Sequence, residues 1–206
     1  MANHLTKLNV ARHQLGTALD LFIRDRDPIA VHCLACGGGE LIEAIADVEN
    51  VQPMTTHMLE TMPNLDIKEL RRIQRLYWNA FKHMTQRKGE IRDDAAILAA
   101  FDDRNNDATL FVGWRDYQAV TQKLPLAAQV FQVWWYALNE EKLAPDTNTA
   151  VIRLAFPDIM KARRKEQKRM LRRAIEKYRN DALVMNDPLT EIAPLCFPAS
   201  IFKTHT

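Results

Sequence analysis

Apolar residues recur every three to four positions along most of the chain, the spacing that lines one face of an α-helix. Leu5, Leu8, Leu15, Ala18, Leu19 and Phe22 predict a first amphipathic helix that ends in Arg24-Asp25-Arg26. Asp27-Pro28 then reads as an N-cap with proline at the first helical position. The second helix carries Val31, Leu34, Leu41, Ile42 and Ile45 inward, with Gly37-Gly38-Gly39 inside it. Each of those glycines costs about 1 kcal/mol of helix propensity, which predicts a kink or the close approach of another backbone. Residues 50–65 hold Pro53 and Pro63 around one or two helical turns. Asp66 caps a third long helix with Ile67, Leu70, Ile73, Tyr77, Phe81 and Met84 inward, and Gly89 follows its end.

A short helix is predicted within 91–101, a polar turn over 102–107 and a helical segment over 108–122. Pro125 opens a strongly apolar helix through Leu143, whose Val130, Phe131, Val133, Trp134, Trp135, Tyr136, Ala137 and Leu138 mark it as the central core helix. A shorter helix from Thr149 reaches Phe156, and Pro157 restarts the chain. A long basic helix then runs to about Asn180, and the tail, 182–206, shows little periodicity. The fold class is therefore all-α: a helical bundle over 1–156, with four or five N-terminal helices, and a basic helix and C-terminal tail over 157–206.

Composition bears this out: 47% of residues are hydrophobic and 26% charged, an ordinary globular balance, with only 6 Gly among 206 residues. Leu124–Leu138, broken by Pro125, Gln129 and Gln132, falls short of the roughly 20 residues of a membrane span, so no span is predicted. The first fifteen residues lack the apolar core of a secretory signal. The 3 cysteines are an odd count, which argues against a disulfide framework and for a cytoplasmic location. Net charge changes the picture more. From Met160 to Arg179 there are ten Lys/Arg and two Glu, a local +8; with the chain at +2, the remainder carries −6. The basic helix is a separate device on an acidic body.

Three constellations can carry chemistry. In the third helix Arg75, Asn79, His83 and Arg87 are spaced by four and so share one face, with Lys82 beside them. Two guanidinium groups, an amide and an imidazole suit an anionic group, and the imidazole can act as general acid or base. The same spacing is equally that of a hydrated helix face. In the second helix, His32-Cys33-Leu34-Ala35-Cys36 contains a C-x-x-C pair. Zinc would need two more ligands, and Cys196 stands alone in the tail, so no metal and no cofactor is predicted. Cys33 lies past the first helical turn, where the dipole does little to lower a thiol pKa; reduced, packed cysteines are the simpler reading. His32 reads as a core-edge histidine that can approach His83 across the bundle, with Glu40 or Glu43 further along, to form a polar pocket. Gly37–Gly39 lacks the Gly-Lys-Ser/Thr of a phosphate loop.

The segments ARHQLGTALDLF and DPIAVHCLACGGGELIEAI resemble the first two helices of HEPN-type bacterial domains, a likeness covering roughly residues 5–90. That resemblance implies a helical bundle, frequently a metal-independent ribonuclease of a toxin–antitoxin or phage-defence system, whose signature is Arg, a polar residue, a few variable residues and His. Asn79 and His83 match the polar residue and the His, while Trp78 stands where the Arg should be. On this resemblance His83 is general acid or base, Asn79 and Lys82 orient, and Arg75 or Arg87 must meet the phosphate in place of the missing Arg. The chain is more similar still to an uncharacterised bacterial group carrying an Asn-x-Phe-Lys-His segment, which implies no activity.

The third constellation is the basic helix itself. Lys161, Arg163, Arg164, Lys165, Lys168, Arg169, Arg172 and Arg173 are the residues expected to contact a nucleic-acid backbone, RNA above all. The same charge density also suits an anionic membrane surface, docking on this protein's own acidic body, or plain solvation. The sequence thus supports a HEPN-like nucleic-acid-associated protein. The alternative is a non-enzymatic interaction protein that forms a homodimer through apolar helix faces and binds DNA or an acidic protein partner.

Overall fold

The computed structural model describes residues 5–86 and 88–197; Arg87 and the tail from 198 onward, both part of the readings above, lie outside the described residues. Among the described residues the chain is 67% helical, with 11 α-helices and two very short parallel strands. The helices are α1 (Lys7–Ile23), α2 (Pro28–Val48), α3 (Met54–Thr61), α4 (Ile67–Gln74), α5 (Leu76–Lys82), α6 (Ala95–Ala99) and α7 (Asn105–Thr121). They continue as α8 (Leu126–Leu138), α9 (Thr149–Ala155), α10 (Arg164–Arg179) and α11 (Ala182–Met185). Strand β1 (Leu124–Pro125) pairs in parallel with β2 (Thr190–Glu191), an unforeseen bridge that ties the tail to the body.

Helix starts follow the capping chemistry written in the sequence. Asp27 accepts from the Ile29 and Ala30 amides ahead of Pro28, and Asp66 accepts from Glu69. Thr6 caps α1 in the same way.

The core is a three-helix layer, α1, α2 and α7, closed on one side by α8 and α10. Leu15, Leu19, Phe22, Val31, Ile42, Leu110, Trp114, Phe131, Trp134 and Leu171 are fully or almost fully buried in it. Each contributes about 1.5–3 kcal/mol of hydrophobic stabilisation. Helix α2 runs through its glycines without a break, and of the three it is Gly38 that serves a close approach. A Cβ on Gly38 would lie 2.8 Å from Leu15 Cγ, and one on Gly113 of α7 would lie 2.7 Å from Leu15 Cδ2. Both helices therefore press against the same leucine. By length and apolarity alone α2 could cross a bilayer, a point the sequence reading missed. In this fold its Val31, Ala35, Cys36, Ile42 and Ala46 face are packed inside the protein.

Three boundaries differ from the sequence reading. The long third helix is two: α4 ends at Gln74, Arg75 forms a turn, and α5 ends at Lys82. Beyond it the chain folds as a hairpin in which Thr85 bridges Ile91 and Gly89 takes a φ of +83°, a left-handed conformation that suits glycine. The apolar helix stops at Leu138, followed by a single 3-10 turn over Glu140–Lys142. Helix α7 begins inside the polar DDRNND run and proves to be a central core helix, equal in that role to α8.

The tail wraps back along α1. The Arg12 guanidinium, 3% exposed, donates to the Pro194 and Leu195 carbonyls and to Glu191, and packs over Trp114 and Tyr117. A Cβ on Gly16 would lie 2.2 Å from the Leu195 carbonyl oxygen, so this glycine makes room for the tail.

Candidate functional site

A cavity of about 500 Å³ lies between α2, α7 and the arch made by α3, α4 and α5. That size falls within the range of small-molecule sites, roughly 300–1,000 Å³. Each long helix gives one face to it. From α2 come His32, Ala35, Cys36, Gly39, Glu40 and Glu43; from α7 and its first turn come Asn105, Ala108, Thr109, Val112, Gly113 and Asp116. Both sets follow helical three–four spacing. Met58, Leu70, Ile73 and Tyr77 line the arch side. A Cβ on Gly39 would meet nothing within 4 Å, so this glycine faces open space.

His32 is the best-defined polar group of this wall. It is 2% exposed and enclosed by Tyr77, Phe81 and Phe101, whose rings stand edge-on at 5.4–5.9 Å. Its tautomer follows from its neighbours. The Pro28 carbonyl can only accept, so the Asn106 Nδ2 amide, 3.1 Å away, faces it. Asn106 Oδ1 is thereby turned to His32 Nδ1 at 3.0 Å, and Nδ1 must carry the proton. Burial lowers the pKa of the ring, the Asn106 bond opposing it less strongly, so the ring is neutral and Nε2 is a bare acceptor. Among the described residues Nε2 is buried and has no hydrogen-bond partner; the same holds for Trp78 Nε1 on the arch. Buried polar groups are nearly always paired, and an unpaired one costs about 1–3 kcal/mol.

Asp116 is the second such group. It is 2% exposed, and its Oδ1 accepts from the Met54 amide at 2.6 Å, which anchors the start of α3. Burial pushes its carboxyl up to about 6, with Glu43 and Asp47 reinforcing the rise and the Met54 bond and Arg115 opposing it. Glu40 and Glu43 are bridged by Arg75 at 3.3 and 3.9 Å, and Arg71 lies 3.7 Å from Glu43.

The predicted site residues fall in different places. Arg75 lines the cavity, held by the acids of α2. Asn79, Lys82 and His83 are not among its lining residues. Lys82 lies 4.5 Å from the Trp78 ring, and His83 is exposed, with extended backbone just past the end of α5. Arg75, Asn79 and His83 therefore do not form one stripe on a continuous helix, because the chain turns at Arg75 and leaves the helix at Lys82. Arg87 lies outside the described residues. His32, Glu40 and Glu43 do line one cavity, together with Arg75 and Asp116, but the expected approach of His32 to His83 is not made, because His83 lies exposed past the end of α5.

The cysteines are free thiols; burial pushes the pKa of Cys36 up to about 12 and raises that of Cys33. Among the described residues no group of three or more His, Cys, Asp or Glu is placed to hold a metal ion.

The basic helix is divided between two environments. Arg164 bonds Asp103 and grips Asp107 with two nitrogens at 2.9 and 2.5 Å. Lys168, 1% exposed, bonds Asp25 and Asp103 and lies 4.3 Å from the Phe22 ring, while Arg172 caps the Ile23 carbonyl. These three face the protein's own acidic turns. Lys161 and Arg169 are exposed and paired with Asp158 and Glu166. Arg163, Lys165 and Arg173 are exposed without an ion pair among the described residues.

Asp116 and Asn106 escaped the sequence reading. The available signal was a polar residue on the apolar stripe of a helix: Asn106 continues Leu110, Gly113 and Tyr117 at three–four spacing. The chain matches no protein-family model, no curated protein and no solved structure.

The raised Asp116 carboxyl gives a signed prediction. A carboxyl that holds its proton more tightly folded than unfolded leaves the fold unpenalised below its ordinary value of 3.8 and penalises it fully above about 6. Asp116→Asn keeps an acceptor for Met54 and removes the titration. Urea denaturation should show the wild type losing stability relative to this variant between about pH 4 and pH 7, by up to about 3 kcal/mol. A pH-independent difference would contradict the assignment.

Proposed function

We propose that this protein binds a small organic molecule in the cavity between α2, α7 and the α3–α5 arch. The observation that carries the reading is His32 on the cavity wall: a neutral imidazole, fixed by Asn106, whose buried Nε2 has no partner among the described residues. A bound molecule that donates a hydrogen bond there removes the cost of the unpaired acceptor. The mainly apolar wall of Ala35, Met58, Leu70 and Ile73 supplies affinity through burial, and polar groups toward its two ends, His32 at one and Asp116 with Glu43 at the other, supply orientation.

Nile red, a neutral apolar dye, should bind saturably with enhanced emission. Gly39→Leu and Ala108→Trp, which add side chains to two walls of the cavity, should each lower that binding about tenfold or more, with helical circular dichroism retained. Absence of saturable binding to the wild type, or binding indifferent to both variants, would overturn the reading.

A second reading is favoured by Arg163, just before α10, and Lys165 and Arg173 on it, which are exposed and without an ion pair among the described residues. In it the protein is nucleic-acid-associated. In its HEPN-like form it is a ribonuclease with His83 as acid or base, assisted by Asn79, Lys82 and Arg75 or Arg87. Phosphate contacts make affinity fall steeply with salt. An RNA oligonucleotide should be retarded at low salt, and reversing those three charges to Glu should abolish the shift, whereas His83→Ala should abolish only cleavage. No retardation at low salt would dispose of this reading.

A further inference from the structure

The polar groups on the cavity wall are not balanced between donors and acceptors. His32 Nε2 is a bare acceptor. Asp116, Glu43 and Glu40 bring three carboxyl groups, against Arg75 within the cavity and Arg104, exposed at its edge. Arg75 is already shared, at 3.3 Å from Glu40 and 3.9 Å from Glu43. Arg71 reaches Glu43 only at 3.7 Å from outside the lining set. Among the described residues Glu43 is thus held by two long contacts and no close one, though its side chain is only 15% exposed. Asp116 faces Glu43 and Asp47 on its acidic side and Arg115 on its basic side. Trp78 Nε1 is a buried donor of the wall without a partner among the described residues.

An occupant complementary to this wall brings N–H donors and positive charge, not a carboxylate or phosphate. We infer that the ligand of this cavity is an organic cation, a primary or secondary amine on an apolar body. The inference rests on the cavity being a ligand site. The ammonium group sits between Asp116 and Glu43, at the end of the cavity away from His32, which lies 11 residues back along α2, about 16 Å at 1.5 Å per residue; the apolar body lies against Met58, Leu70 and Ile73. A cation there offsets the cost of ionising Asp116 and gives Glu43 a near partner. An anion would face three carboxyl groups with Arg75 already engaged.

The test compares three near-isosteric probes by calorimetry on the full chain at about pH 7: phenethylamine, phenethyl alcohol and hydrocinnamate. Phenethylamine should bind about tenfold or more tightly than either of the others. Asp116→Asn and Glu43→Gln should each bring the amine down toward the alcohol while changing the alcohol's own affinity much less, since a carboxamide still accepts from a hydroxyl but no longer pairs a charge. Two carboxamide variants are used so that loss of fold in one, seen by circular dichroism, does not decide the result. Equal or tighter binding of the alcohol or the carboxylate would overturn the inference, as would amine binding that both variants leave intact. If Nile red binds saturably and none of the three probes does, the cation assignment fails while the cavity reading stands. If nothing binds, both fail.

Discussion

The fold depends on how closely α2 can lie against its two neighbours. Leu15 of α1 sits where Gly38 of α2 and Gly113 of α7 come together, and a Cβ at either glycine would overlap it. Small residues at that point let three helices share one dry seam, and the rest of the core is arranged around it. The approach has a second consequence. With one side of α2 fixed against α1 and α7, the side carrying His32, Gly39 and Glu43 is roofed only by the short helices α3, α4 and α5. Short helices joined by turns cover a long helix incompletely, and the uncovered volume is the cavity.

The electrostatics divide in the same way. On one side of the molecule acidic turns at Asp25, Asp103 and Asp107 receive Lys168 and Arg164, so that part of the basic helix neutralises the body it rests on. Buried pairs of this kind contribute little net stability, because desolvation offsets attraction, but losing one partner strands the other. They fix where α10 lies more than how firmly the protein folds. At the cavity the balance is different: Glu43 has only long contacts to Arg71 and Arg75, and His32 Nε2, toward the other end, has no partner among the described residues. That imbalance is the physical basis for reading the cavity as a place for a ligand.

How much of this was legible in the sequence varies with the range of the interaction. The all-α class, the caps at Asp27 and Asp66, the close approach at the triple glycine and the start of α9 all follow from residues near one another in the chain. The break at Arg75 does not, since the turn goes with ion pairs to Glu40 and Glu43 on another helix. The direction of Lys168 is equally non-local: periodicity places it on α10, but only the position of Asp25 and Asp103 turns it inward. Part of the candidate site was visible, because His32, Glu40 and Glu43 share one face of one helix. Asp116 and Asn106 were not, because a polar residue on an apolar stripe acquires meaning only when its partner, Met54 or His32, is brought across the fold.

Most turns on one ring: His32 is neutral, protonated on Nδ1 toward Asn106, and its buried Nε2 has no partner among the described residues. Long-range proton–nitrogen correlation NMR of histidine-labelled protein at about neutral pH reads this directly. The account predicts a His32 signal with a protonated Nδ1 and an unprotonated Nε2. In Asn106→Ala the preference for that tautomer should be lost. A His32 protonated on Nε2, or present as the imidazolium, would leave no bare acceptor in the cavity and would contradict the account.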